Sequence, residues 1–170
     1  MNAPYHGHIA PLAPPPECGV AAAQWQLIGQ GALQFFGVSV YQARLWAAPG
    51  FDADRYTCLP FVLAMDYQRR LSAQVIAERS LAEMRRIGSF TEAQASQWLP
   101  KMRHAFGDVQ AGDRISGQHD GQGELRFARN GQLSGEWIDP DFARLFFGIW
   151  LSPLTVVPTL RALLTGASVA

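Results

Sequence analysis

The stretch Gly29-Gln30-Gly31-Ala32-Leu33-Gln34-Phe35-Phe36-Gly37-Val38-Ser39-Val40-Tyr41-Gln42-Ala43-Arg44-Leu45-Trp46 decides the fold of this chain. It predicts two strands with a glycine between them. Val38, Val40 and the aromatic residues suit a pleated, half-buried surface. Gly29, Gly31 and Gly37 mark points where the backbone turns, bulges or approaches another segment closely. Gln24 to Ile28 alternates apolar and polar residues and leads into the first strand.

Downstream, Ala48-Pro49-Gly50 breaks the pattern, and Phe51 to Cys58 is expected to be a loop. Leu59 to Tyr67 is almost continuously apolar, the signature of a central strand, here beginning after Pro60. Ser72 is a helix N-cap. The segment to Ile87 sets Ile76, Ala77, Leu81 and Met84 on one face, and Gly88 stops it. Thr91 and Gln94 form a capping box. The helix they start carries Ala95, Trp98, Leu99, Met102 and Phe106 at spacings of three and four, with Pro100 expected to kink or split it. Residues 108–138 predict a three-stranded meander, in which Asn130-Gly131 is a strong two-residue turn. Asp139-Pro140 caps an apolar helix through Phe142, Phe146 and Trp150. Ser152-Pro153 ends it, and a short helix from Pro158 to Thr165 closes the pattern at Gly166.

Upstream, residues 1–23 hold five prolines among small residues and predict a flexible tail, with His6 and His8 as solvated side chains. Residues 24–170 then form a single domain. The whole is 48% apolar and only 16% charged, so much of it must be interior or reserved for a ligand. The formal net charge is zero, which gives no reason to expect nucleic acid or an anionic membrane as partner. Cys18 and Cys58 match no metal spacing; a buried Cys58 and an exposed Cys18, both free, are expected, with a disulfide between them as the alternative. There is no run long enough to span a membrane and no apolar signal region ahead of Ala21-Ala22-Ala23, so the chain as given is expected to be cytoplasmic, or periplasmic if its start is cropped.

Chemistry is sparse. Gly29-x-Gly31 lacks the third glycine of a dinucleotide loop and precedes a strand. Neither a nucleophile elbow nor a Walker loop is present. His104 with Asp108, and His119 with Asp120, sit at element ends where charge or turn roles suffice. Arg69, Arg70, Arg79, Arg85 and Arg86 have no interleaved aromatics and predict solvated faces and ion pairs. No cofactor and no metal are expected, and no protein partner can be named.

The order of these elements resembles the chalcone isomerase-like family, and its bacterial branch in particular. The resemblance spans residues 24–166. It is carried by Gly29-x-Gly31, Val38-x-Val40-Tyr41-x-Ala43-x-Leu45, Met65-x-Tyr67-x-Arg69, Asn130-Gly131 and Phe142-Ala143-x-x-Phe146-Phe147-Gly148-Ile149-Trp150-Leu151. It implies an α+β fold: an open-faced β-sandwich in which an antiparallel sheet is backed by a layer of helices, with a ligand cleft between them. The family's enzymes and fatty-acid binders use an arginine to hold a phenolate or carboxylate. Aligned on Tyr41, that position is Leu33. The isomerase threonine falls at Phe36, and a further family tyrosine near Ile76. All three are apolar here, so developing negative charge has no stabiliser and isomerase chemistry is expected to be absent.

The leading expectation is therefore a non-catalytic relative whose cleft holds a small apolar ligand, fatty-acid-like or aromatic. Leu33, Phe35, Tyr41, Ile76, Met84, Trp98, Met102 and Phe146 are its candidate lining; the alternative is that they simply fill the core. Two other readings stand beside it: an isomerase or lyase using Tyr41, Tyr67 or Arg44, and an interaction module using a sheet edge or the Pro-rich tail.

Overall fold

The computed structural model describes residues 14–15 and 24–166. Its elements run in the order β1 (Gln26–Phe35), β2 (Val38–Ala47), a 3-10 segment (Ala53–Cys58), β3 (Phe61–Tyr67), α1 (Ala73–Ile87) and α2 (Glu92–Phe106). Then follow β4 (Arg114–His119), β5 (Glu124–Arg129), β6 (Gln132–Ile138), α3 (Pro140–Leu151) and α4 (Pro158–Thr165). The strands form one six-stranded antiparallel sheet in strict sequence order, β1 to β6.

Each element has a local cause. Phe36-Gly37 is a two-residue turn with positive φ at both positions (48° and 75°), and Asn130-Gly131 repeats the geometry at 49° and 84°. Ser72, Thr91 and Asp139 cap the first three helices by accepting the amides of Val75, Gln94 and Phe142, and the capping box at Thr91 is complete.

Three local expectations are corrected. Residues 53–58 are a 3-10 segment, begun where the Asp52 carboxylate accepts the Asp54 amide. Pro100 does not split α2, which runs as one helix to Phe106 with Pro100 on its exposed side. Cys58 is exposed, because it ends the 3-10 segment at the surface; it is free of a disulfide. Cys18, His6 and His8 lie outside the described residues.

Antiparallel register sorts side chains onto two faces. Toward the helices point Leu33, Tyr41 and Tyr67 in one row, then Ala43, Met65 and Ile115, then Leu45, Leu63 and Phe127. α3 is buried almost all round, from Phe142 to Leu151, and its rings stack on one another and on the sheet: Phe146 lies 5.3 Å from both Phe142 and Phe127. α4 rests on β1 because that strand carries glycines. A Cβ on Gly29 would sit 2.5 Å from the Leu164 carbonyl oxygen, and one on Gly31 would sit 2.9 Å from the side chains of Leu160 and Leu163. The glycine-rich lead-in is thus a seat for a helix.

The opposite face carries Arg44, Trp46, Val62, Asp66, Arg114 and Ser116. There Asp66 receives hydrogen bonds from Arg114 Nε at 2.7 Å and from Arg44 Nη1 at 2.5 Å, and Arg44 Nε also donates to Gln30. Trp46, Val62 and Ser116 are nonetheless buried, and so are Pro14 and Pro15.

Candidate functional site

β2 and β3 place Tyr41 and Tyr67 side by side on the helix-facing surface, their rings 5.5 Å apart and edge-on. Leu33 is the β1 partner of Tyr41, so a hydrocarbon side chain completes the row. From α3, Trp150 Nε1 donates to the Tyr41 hydroxyl at 2.8 Å. That leaves the Tyr41 O–H proton free to point elsewhere. The Tyr67 hydroxyl has no hydrogen-bond partner among the described residues.

Burial governs the electrostatics. Loss of solvation raises the Tyr41 phenol from 10.0 to about 12, with the Trp150 hydrogen bond opposing and Glu83 assisting. Tyr67 is pushed up further, by burial first and by its neighbour Tyr41 second. Both are therefore neutral O–H donors at physiological pH and neither is a base. Glu83, buried on α1, is paired with Arg79 at 3.2 Å.

The eight candidate lining residues do not all gather here. Tyr41, Met84, Trp98, Met102 and Phe146 belong to one contiguous buried cluster, and Leu33 and Ile76 pack against it half-buried. Trp98 is committed to structure, since its indole N–H donates to Asp139 Oδ2 at 2.8 Å, tying α2 to the cap of α3. Phe35 is exposed at the β1–β2 turn, against the Phe36 ring. Phe36 itself is at the apex of that turn and does not reach the sheet–helix interface. Arg44 is on the opposite face from Tyr41 and Tyr67, held by Asp66, so these three cannot act on one substrate.

Sequence reasoning missed the Tyr41–Trp150 pairing. Its signal was present: a tyrosine at a helix-facing strand position and an indole on a helix otherwise apolar inside. His119, expected with Asp120 to serve a turn, does so. That ring is buried beside Phe61 and Phe147, with Nε2 accepting the Gly123 amide at 3.1 Å. Nδ1 has no partner in hydrogen-bond geometry, although the Leu59 carbonyl is near enough to favour the charged ring. Desolvation outweighs that carbonyl and Asp120, and holds the imidazole below its ordinary 6.5. Among the described residues, no three His, Cys, Asp or Glu side chains gather as a metal site requires, and no helix is long and apolar enough to cross a membrane.

The architecture matches the crystal structure of the Arabidopsis thaliana fatty-acid binding protein AtFAP1, with a TM-score of 0.62 over 85% of this chain and 88% of that one. The fold is chalcone isomerase-like. Identity across the match is 13%, so the likeness is one of fold. No family model and no curated protein matches the sequence. Within the chalcone isomerase-like fold, the Leu33–Tyr41–Tyr67 row occupies the sheet's helix-facing surface under α3, which supplies Trp150.

Proposed function

We propose that this protein is a non-catalytic member of the chalcone isomerase-like family that holds a small apolar molecule ending in an oxygen, at the Tyr41–Tyr67 pair. One observation carries the reading: two neutral tyrosines lie ring against ring in the buried sheet–helix interface, and the Tyr67 hydroxyl has no hydrogen-bond partner among the described residues. An O–H donor in a largely apolar setting gains from a strong acceptor, which a ligand carbonyl or protonated carboxyl would supply. Leu33 beside the two tyrosines offers no charge, which favours a neutral head over a carboxylate or phenolate. The fold neighbour's description as a fatty-acid binding protein supports an apolar guest. Leu33, Ile76 and the inner ends of Met84, Met102 and Phe146 are the candidate walls.

The test is native mass spectrometry and lipid extraction of the purified protein. A bound acyl or aromatic molecule is expected, reduced in Tyr41→Phe/Tyr67→Phe. A clean unliganded species that also takes up no fatty acid in titration removes the reading. Chalcone should be consumed no faster than in buffer.

A further inference from the structure

At the end of the sheet where β1 turns into β2, the surface inverts the usual rule. Phe36 is 93% exposed, Phe35 54% and Val38 45%. Apolar residues scattered singly on a surface need no explanation, but these three are adjacent on one projecting turn. Phe36 holds a backbone conformation that side chains other than glycine, asparagine and aspartate seldom adopt, with φ at 48°. The other two-residue turn of the same geometry carries Asn130 at the matching position, as turn chemistry favours. A phenylalanine in left-handed backbone, its ring turned to solvent and edge-on to Phe35, contributes little to folding.

Charge around the turn is equally particular. No charged residue occurs between Glu17 and Arg44, so the distal half of the hairpin can leave water without desolvating an ion. Beside it, β3 runs out of the sheet: the Gln68 amide donates to the Val40 carbonyl, and Arg69 and Arg70 follow directly. Both arginines are exposed, and neither forms an ion pair among the described residues. The apolar turn thus lies at the same end of the sheet as two exposed arginines that form no ion pair among the described residues.

We infer that the Phe35-Phe36-Gly37-Val38 turn inserts into the interfacial layer of a bilayer, with Arg69 and Arg70 on anionic headgroups. Aromatic rings partition into that layer, and short basic groups beside them add salt-sensitive attraction. Zero net charge does not oppose this, because screening makes the local pair, within about 8 Å of the surface, the part that counts. The inference stands apart from the ligand reading: an empty interior would leave it intact.

The decisive variant is Phe36→Asn, which copies the Asn130-Gly131 turn and should fold at least as well as the parent. Co-sedimentation uses vesicles of phosphatidylcholine alone and of phosphatidylcholine with phosphatidylglycerol. The parent should bind the anionic vesicles and lose binding in 0.5 M salt, a test condition of about a 4 Å screening length. Phe36→Asn should bind about tenfold more weakly, since insertion strength follows apolar area buried. Arg69→Gln/Arg70→Gln should lose about fivefold per arginine on anionic vesicles and nothing on neutral ones. The inference is overturned if the parent ignores anionic vesicles, or if Phe36→Asn binds them equally well. A change of oligomeric state in Phe36→Asn without any vesicle dependence would assign the turn to a second copy of the chain and overturn it too.

Discussion

Tyr41 joins the packing of the molecule to its chemistry. Its hydroxyl accepts the Trp150 indole proton across the sheet–helix interface, so Tyr41→Phe strands a buried donor. A loss of about 1–2 kcal/mol in urea unfolding is expected. The phenols also predict the alkaline limb of stability. The unfolded chain releases these protons near 10.0, while the folded chain keeps that of Tyr41 to about 12 and that of Tyr67 beyond. Their contribution is complete below pH 10 and is lost as pH rises through the folded values. The Tyr41→Phe/Tyr67→Phe variant should show a flatter decline of the unfolding midpoint above pH 10. His119 acts in the opposite sense. Its folded value is depressed, so the unfolded chain takes up the proton first. Stability from the neutral ring is full above about pH 6.5 and falls as pH drops through the folded value. His119→Gln should lose this acid slope below pH 6.5, measured by denaturant midpoint.

At the scale of elements, the α4 seat makes a sharp prediction. Gly29→Ala sets a methyl against main-chain carbonyls of α4, which cannot swing aside as a side-chain tip would. A loss of about 1–3 kcal/mol is expected, with faster amide exchange confined to residues 158–165. Thr91→Ala should cost about 1 kcal/mol, because the Gln94 amide loses its hydroxyl acceptor while the return bond from the residue-91 amide to Gln94 Oε1 remains. These elements were legible in the sequence because their causes are local. Ser72, Thr91 and Asp139 announce helices by their own oxygens, and Asn130-Gly131 announces a turn by its permitted φ. The lining of a cleft was not legible in the same way. Period tells that Trp98 and Met102 face inward, not whether a neighbour or a ligand meets them. Trp98 proved to be tied to Asp139, a contact between residues 41 apart that no periodicity encodes. Phe35 failed for a related reason: alternation makes it strand-like, and only the position of the turn beside it sends it outward.

At the scale of the whole molecule, the two sides of the sheet differ in kind. One is an aromatic interior organised by α3; the other pairs a carboxylate with two guanidiniums beside buried Trp46 and Val62. Arg44 looked like a candidate for chemistry because residue type carries no face. Register alone assigns it away from the tyrosines. Asp66→Ala should therefore leave ligand occupancy unchanged while lowering stability, since it removes the carboxylate that lies between two half-buried guanidiniums. Thermal melts and the mass-spectrometric occupancy, read together, check both halves of that statement. The burial of Pro14 and Pro15 means that a chain starting at Gln24 should melt lower than the full one.

The strict β1-to-β6 order has a kinetic meaning. Four of the five strand pairings close over a short hairpin or one brief connection, but β3 and β4 are joined only through the two-helix excursion of residues 68–113. Closing that long loop costs entropy that no early local contact offsets. The zipping of these two strands is expected to be the slow step of assembly in stopped-flow refolding, and it should quicken when the α1–α2 pair is made more stable on its own.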